Sequence, residues 1–278
     1  MTNATDDTAM RNQEMNPSTP AKAPRPIYST DVIRTLETSW GPGWLSPGGE
    51  ADLAALLEGQ DINGLNVLDI GVGAGGPAAS LLNRFGAGHV TGIDVERLVL
   101  NRAAAVAQEH GLAGRLELLH VDPGVLPFAD SKFNVVFSKD SFIHITEKAL
   151  LFSEIRRVLV PGGLCAFSDW CCGPPPYSPE MTAWLDNGMG FVIASINDTK
   201  AAMQHAGFRN IAAKDRNNWF SALAAREAEF AAGSHWSEIT GRIGAEAAAR
   251  LVATAQRRAL IANQGHLRPA HFIATAPG

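Results

Sequence analysis

The run Val67-Leu68-Asp69-Ile70-Gly71-Val72-Gly73-Ala74-Gly75-Gly76 constrains this chain more than any other stretch. It joins a short apolar strand to a turn dense in glycine. Such a turn passes through dihedrals closed to other residues and lets the backbone come close to a ligand. Pro77 to Phe85 has helical punctuation, so the amino end of that helix faces whatever the turn holds. A strand, a glycine turn and a helix in this order imply an open α/β sheet that cradles a nucleotide-like cofactor.

Two readings of the turn compete. Gly71, Gly73 and Gly76 satisfy the dinucleotide fingerprint GxGxxG, whereas Asp69, Gly71, Gly73 and Gly75 satisfy the DxGxGxG form associated with S-adenosylmethionine. Charge separates them. A carboxylate at the strand end repels a pyrophosphate but suits a ligand that carries an ammonium and a sulfonium, so Asp69 favours the cation.

The rest of the chain repeats the strand-helix alternation. Strands are expected at Asn66 to Ile70, His89 to Ile93, Leu116 to His120, Phe133 to Phe137, Leu164 to Ser168, Ile211 to Lys214 and His271 to Ala276. Helices are expected at Glu50 to Glu58, Pro77 to Phe85, Leu98 to His110, Thr146 to Leu159 and Thr199 to His205, with Pro161-Gly162-Gly163 as a stop. The alternation predicts a Rossmann-like, doubly wound α/β sheet of seven strands, mostly parallel and covered on both faces. Residues 1–26, polar and proline-rich, are expected to be a disordered tail without a signal-peptide pattern. One domain follows over 27–278: an amino-terminal cover (27–65), the cofactor-binding core (66–216), a helical lid (217–264) and a final strand (265–278).

With 278 residues, 46% of them hydrophobic, the chain can bury a full core. A net charge of -5 argues against a broad nucleic-acid footprint, and no apolar run is long enough for a membrane span. Cys165, Cys171 and Cys172 form neither a CxxC metal pattern nor a disulfide framework, which suits a reducing cytoplasm and a protein without a metal. A homo-oligomer is compatible with the sequence.

In a doubly wound sheet the ligand sits beyond the carboxyl ends of the strands. Acids stand there: Asp69 after the first strand, Asp94 after the second, where its two oxygens can grip a ribose diol, and Asp122 after the third, where it can accept from an adenine amino group. Ser138 to His144 follows the fourth strand and is the expected acceptor region, with Ser138 on the cofactor side. Asp140 suits a substrate ammonium, and Trp40, Trp44 and Trp170 offer faces that attract alkylated ammonium groups.

From Tyr28 onward the chain resembles the class I S-adenosylmethionine-dependent methyltransferases of the phosphoethanolamine N-methyltransferase type. The resemblance rests on Trp40-Gly41-Pro42-Gly43-Trp44-Leu45-Ser46-Pro47-Gly48-Gly49, the glycine turn, Gly92-Ile93-Asp94, Ser138 to His144, Pro161-Gly162-Gly163 and Gly207-Phe208-Arg209-Asn210. Glycine, sarcosine and dimethylglycine methyltransferases share much of it. The resemblance implies S-adenosylmethionine as cofactor, a small-molecule amine acceptor, and a latch of Tyr28 and His144 that assists proton removal. It also puts Trp219 where the family keeps an aromatic residue.

The pattern departs at the family's phosphate site, whose arginine and tyrosine align with Met189 and Phe191. Arg257 or Arg258 in the lid can replace a third phosphate-binding cation. A less charged amine, an amino acid or a larger apolar acceptor is therefore expected. Rival readings are O-, S- or C-methylation of another metabolite, a nicotinamide-dependent oxidoreductase, and a sensor that binds the donor without using it.

Overall fold

The computed structural model describes residues 27–186, 190–233 and 235–278. The expected tail (1–26) and the candidate Met189 lie outside the described residues.

Strands β1 (Asn66–Ile70), β2 (His89–Asp94), β3 (Leu116–His120), β4 (Phe133–Lys139) and β5 (Leu159–Cys172) are mutually parallel, and β8 (Leu267–Thr275) runs antiparallel to both β5 and β7 (Arg209–Asp215). The sheet order is β3-β2-β1-β4-β5-β8-β7. The two-residue β6 (Ala194–Ser195) pairs with the end of β5, so the sheet holds one short strand beyond the seven expected.

Strand alternation builds the two layers. Val135 and Phe137 face a core completed by α2 (Gly49–Leu56), α3 (Gly76–Asn83) and α4 (Arg97–Glu109), with Leu53, Leu81 and Val106 buried there. Val136 faces the opposite core, which Phe152 and Ile155 of α5 (Lys148–Val158) and Met203 of α7 (Ile196–His205) complete with Phe167 and Phe272.

Strand β5 runs well past the expected Leu164 to Ser168, because β8 pairs with it from Leu164 to Cys172. Pro161-Gly162-Gly163, expected to stop a helix, falls within the strand, where the register with β4 shifts and Gly162 takes φ +75°. Two helices stand where none was expected. Ser29 caps α1 (Thr30–Trp40) through Val32 N, and Ser178 caps α6 (Pro179–Leu185) through Met181 N.

Between β7 and β8 lie α8 (Asn217–Ala232), α9 (Trp236–Ile243) and α10 (Ala245–Asn263). Asn217 Nδ2 ties the start of α8 to the end of α10 by donating to Ala262 O at 2.8 Å and to Leu267 O at 2.7 Å.

Candidate active site

The strand order reverses between β1 and β4, and it is there that an open α/β sheet leaves a crevice for a ligand. Asp69 lies in register between Gly92 of β2 and Phe137 of β4, so the glycine turn and the Ser138 to His144 segment share this crevice. Gly71, Gly73 and Gly75 take φ of +75°, +54° and +89°. A Cβ on Gly71 would lie 2.4 Å from Cβ of Ser141, so no larger residue fits. The amino-terminal approach docks on the same turn, where Gly76 N donates to Gly43 O at 2.9 Å and Glu37 accepts from Gly43 N at 2.6 Å.

Asp69 is 1% exposed, and its Oδ2 has no hydrogen-bond partner among the described residues. Burial, followed by the repulsion of Asp94, pushes its carboxyl up to about 8. A buried carboxyl so raised is matched by a ligand that brings a positive charge. Asp94 accepts from Gly73 N at 3.0 Å and from Glu96 N at 2.9 Å, one on each oxygen, which aims the carboxylate along the turn and leaves each oxygen further lone-pair capacity for a diol. Asp122 is exposed just beyond β3, on the same strand-end edge. The Ser138 hydroxyl is buried and donates to Ile70 O at 2.7 Å beside Ser141, so it holds the β1 end in place.

Tyr28 comes to this place through the amino-terminal cover. Ile27 N and Tyr28 N donate to the Glu96 carboxylate at 2.6 and 3.2 Å. Burial, with Asp94, Glu96 and Asp140 nearby, drives the phenol far above its ordinary value. Its hydroxyl therefore stays protonated at neutral pH.

On the acceptor side, Asp140 takes φ +54°. Its Oδ1 accepts from Ser168 Oγ at 2.7 Å and its Oδ2 from Lys139 Nζ at 3.0 Å. Lys139 is buried and also donates to Asp52 Oδ2 at 3.0 Å, while Arg216 Nη2 and His271 Nε2 meet Asp52 Oδ1 at 3.2 and 3.0 Å. Burial would raise the Asp52 carboxyl, but His271 and Lys139 outweigh it and hold it well below the usual range. This buried network floors a cavity lined by Asp140, Ser168, Trp170, Trp219, Phe220 and Pro47 among others.

His144 closes a single 3-10 turn (Phe142–His144), its ring centroid 5.4 Å from that of Phe191. The turn is pinned from below. Asp169, buried on β5, accepts from Ile143 N at 2.9 Å and lies 3.6 Å from Lys148 Nζ. Burial pushes the Asp169 carboxyl up to about 7, against the pull of Lys148.

The aromatic candidates divide. Trp170 and Trp219 line the cavity and Phe191 packs beside it. Trp44 is only 8% exposed and packs in the core under the glycine turn. Trp40 and Arg258 meet at Glu227. Trp40 Nε1 and Arg258 Nη2 donate to the two oxygens of Glu227 at 2.7 and 2.9 Å, so they fasten α1 to α8 and α10. The sequence reading missed Asp52, Glu96, Asp169, Arg216 and His271. Asp52 and His271 stand 219 residues apart, and only the fold joins them.

Comparison with known proteins agrees with this geometry. A family described as a methyltransferase domain matches residues 67–163. Phosphoethanolamine N-methyltransferase 1 of Arabidopsis thaliana is 29% identical over 201 residues, covering 72% of this chain and 40% of that protein. The chain thus spans about two fifths of the length of such a curated relative. Phosphoethanolamine N-methyltransferase 2 of Haemonchus contortus, solved with phosphomonomethylethanolamine and S-adenosylhomocysteine, superposes with a TM-score of 0.83 at 25% identity, over 90% of this chain and 59% of that one. A candidate sarcosine dimethylglycine methyltransferase of Galdieria sulphuraria shares the fold, with a TM-score of 0.74 at 19% identity over 89% and 97% of the two chains. Residues 67–163 thus match a methyltransferase domain, and the fold as a whole is that of the solved methyltransferases it superposes on. Within that class the chain resembles the phosphoethanolamine N-methyltransferases.

Proposed function

We propose that this protein transfers a methyl group from S-adenosylmethionine to the nitrogen of a small amine. The observation that carries the reading is the buried Asp69 carboxyl, unpartnered at Oδ2 and facing a glycine turn already ordered by Asp94. Asp69, Asp94 and Asp122 would hold the ammonium, ribose and adenine of the donor. The donor supplies a methyl on a positively charged sulfur, and displacement there needs chiefly closeness and collinearity. Asp140, anchored by Ser168 and Lys139, orients the amine. An ammonium has no lone pair, so it must lose a proton before it attacks, and imidazole is suited to take that proton near neutral pH. His144 is that base, and Tyr28 donates a hydrogen bond over the site from the cover. The helices α8 to α10 form the lid.

The setting is a reducing cytoplasm, in keeping with free, buried Cys165, Cys171 and Cys172. No helix among the described residues is long and apolar enough to cross a membrane. The test is transfer of labelled methyl to an amine panel, repeated with His144→Ala. Turnover should fall by about 100-fold or more while S-adenosylhomocysteine affinity holds. Unchanged turnover would remove His144 from the reaction, and transfer only to phenols or thiols would overturn the amine.

A further inference from the structure

We infer that Glu37, itself aimed by Arg102, is a positioning residue for the amino-acid end of the donor: it holds the segment Gly41 to Leu45 against the glycine turn and so shapes the wall which that end meets. This deepens the donor reading, in which Asp69 meets the ammonium, and rests on it. Segment and turn touch backbone to backbone. A Cβ on Gly43, which takes φ +79°, would lie 2.8 Å from Gly76 N, and a Cβ on Gly76 would lie 2.7 Å from Gly43 O, so neither position admits a side chain. Leu45 lies over the turn as well, its Cδ1 3.2 Å from where a Cβ of Gly73 would stand. Asp94, the proposed ribose partner, takes its hydrogen bonds from Gly73 and Glu96 and none from this segment among the described residues. The segment therefore bears on the turn beyond Asp69, not on the acids proposed for ribose and adenine.

A stretch with glycine at 41 and 43 loses much chain freedom when ordered, so what fixes it matters. Glu37 fixes it twice. Its backbone carbonyl accepts from Gly41 N at 2.9 Å, and its Oε1 accepts from Gly43 N at 2.6 Å. The same Oε1 accepts from Arg102 Nε at 2.8 Å, while Arg102 Nη1 donates to Glu109 Oε1 at 2.9 Å, so a helix of the core, α4, sets the direction of the carboxylate. Hydrogen bonds to an ionised group are roughly twice as strong as neutral ones. The far side of Gly43 then closes the start of α3, where Gly76 N donates to Gly43 O at 2.9 Å. With that amide taken, the helix end does not offer it to a phosphate, in keeping with a donor that carries none. Without the Glu37 carboxylate the ordered segment is less populated, and apparent affinity falls in proportion for a ligand that needs it.

The experiment titrates S-adenosylhomocysteine, and methylthioadenosine, which lacks the amino-acid end, into the parent protein, Glu37→Ala and Glu37→Gln. Glu37→Ala should weaken S-adenosylhomocysteine roughly tenfold and methylthioadenosine by less than about twofold, the second ligand serving also as the control for folding. Glu37→Gln still offers an oxygen to Gly43 N and should bind S-adenosylhomocysteine within about threefold of the parent. Equal weakening of the two ligands, no weakening of either, or no recovery in Glu37→Gln would overturn this inference alone. No saturable binding of S-adenosylhomocysteine to the parent would overturn the donor reading and the inference with it.

Discussion

Asp69 shows how one side chain couples cofactor, proton and stability. At neutral pH an ordinary aspartate is ionised, but this one, raised to about 8 by burial and by Asp94, keeps its proton in the empty protein. Folding therefore takes up a proton, so its contribution to stability falls as pH rises from about 4 toward 8 and then levels off. A ligand ammonium reverses the balance by favouring the carboxylate, and binding expels the proton. S-adenosylhomocysteine affinity should then rise with pH between about 6 and 8, with proton release visible as a dependence of binding heat on the ionisation enthalpy of the buffer. Binding heat independent of the buffer would mean that Asp69 meets no cation. This residue was legible in the sequence because DxGxGxG names both the acid and its turn. Its unusual protonation was not, since that depends on the depth of burial and on Asp94, twenty-five positions away.

At the level of elements, the parts that close the site are joined by carboxylates that local pattern could not identify. Glu96 begins α4, yet its side chain receives the backbone of Ile27 and Tyr28. Hydrogen bonds to a charged group contribute about 1.5–3 kcal/mol each, so Glu96→Ala should release the segment before α1. Limited proteolysis should cut near Tyr28 faster, and turnover should fall with Tyr28 no longer held. Equal cleavage rates for variant and parent would show that the segment is held elsewhere. Asp169 plays a similar part beneath the Phe142–His144 turn. Asp169→Ala would strand the buried Ile143 N–H, at a cost of about 1–3 kcal/mol, and unfolding in urea should register that loss. A midpoint unchanged by the substitution would contradict this. The strands themselves were legible because each is short, apolar and followed by a turn signal. The extension of β5 was not, because it is set by the length of β8, whose pairing is a tertiary fact.

At the level of the whole molecule, helices built far apart in sequence, α1 at one end and α8 and α10 at the other, are fastened at one charged point. Glu227 accepts from both Trp40 and Arg258, and Arg258 is 5% exposed with its guanidinium 5.3 Å above the Trp40 ring. Removing the carboxylate leaves a buried cation without a counter-charge, a loss of about 3–5 kcal/mol. Thermal unfolding of Glu227→Ala should show a drop of that order, and a change under about 1 kcal/mol would mean that these helices are held by packing alone. The sheet, the glycine turn and the acid positions could be read from residue pattern, whereas the roles of Trp40, Trp44 and Arg258 could not. Tryptophan and arginine serve equally as core, clamp or ligand contacts, and only their neighbours decide which. The central claim remains that the acid-ringed turn holds a positively charged nucleoside donor. It is tested most directly by calorimetric titration of S-adenosylhomocysteine into the protein and into Asp69→Asn, with NADH as the comparison ligand. One saturable site, weakened about tenfold or more by Asp69→Asn and not filled by NADH, is the result predicted. Equal affinity in the two proteins, or binding of NADH in preference, would contradict it.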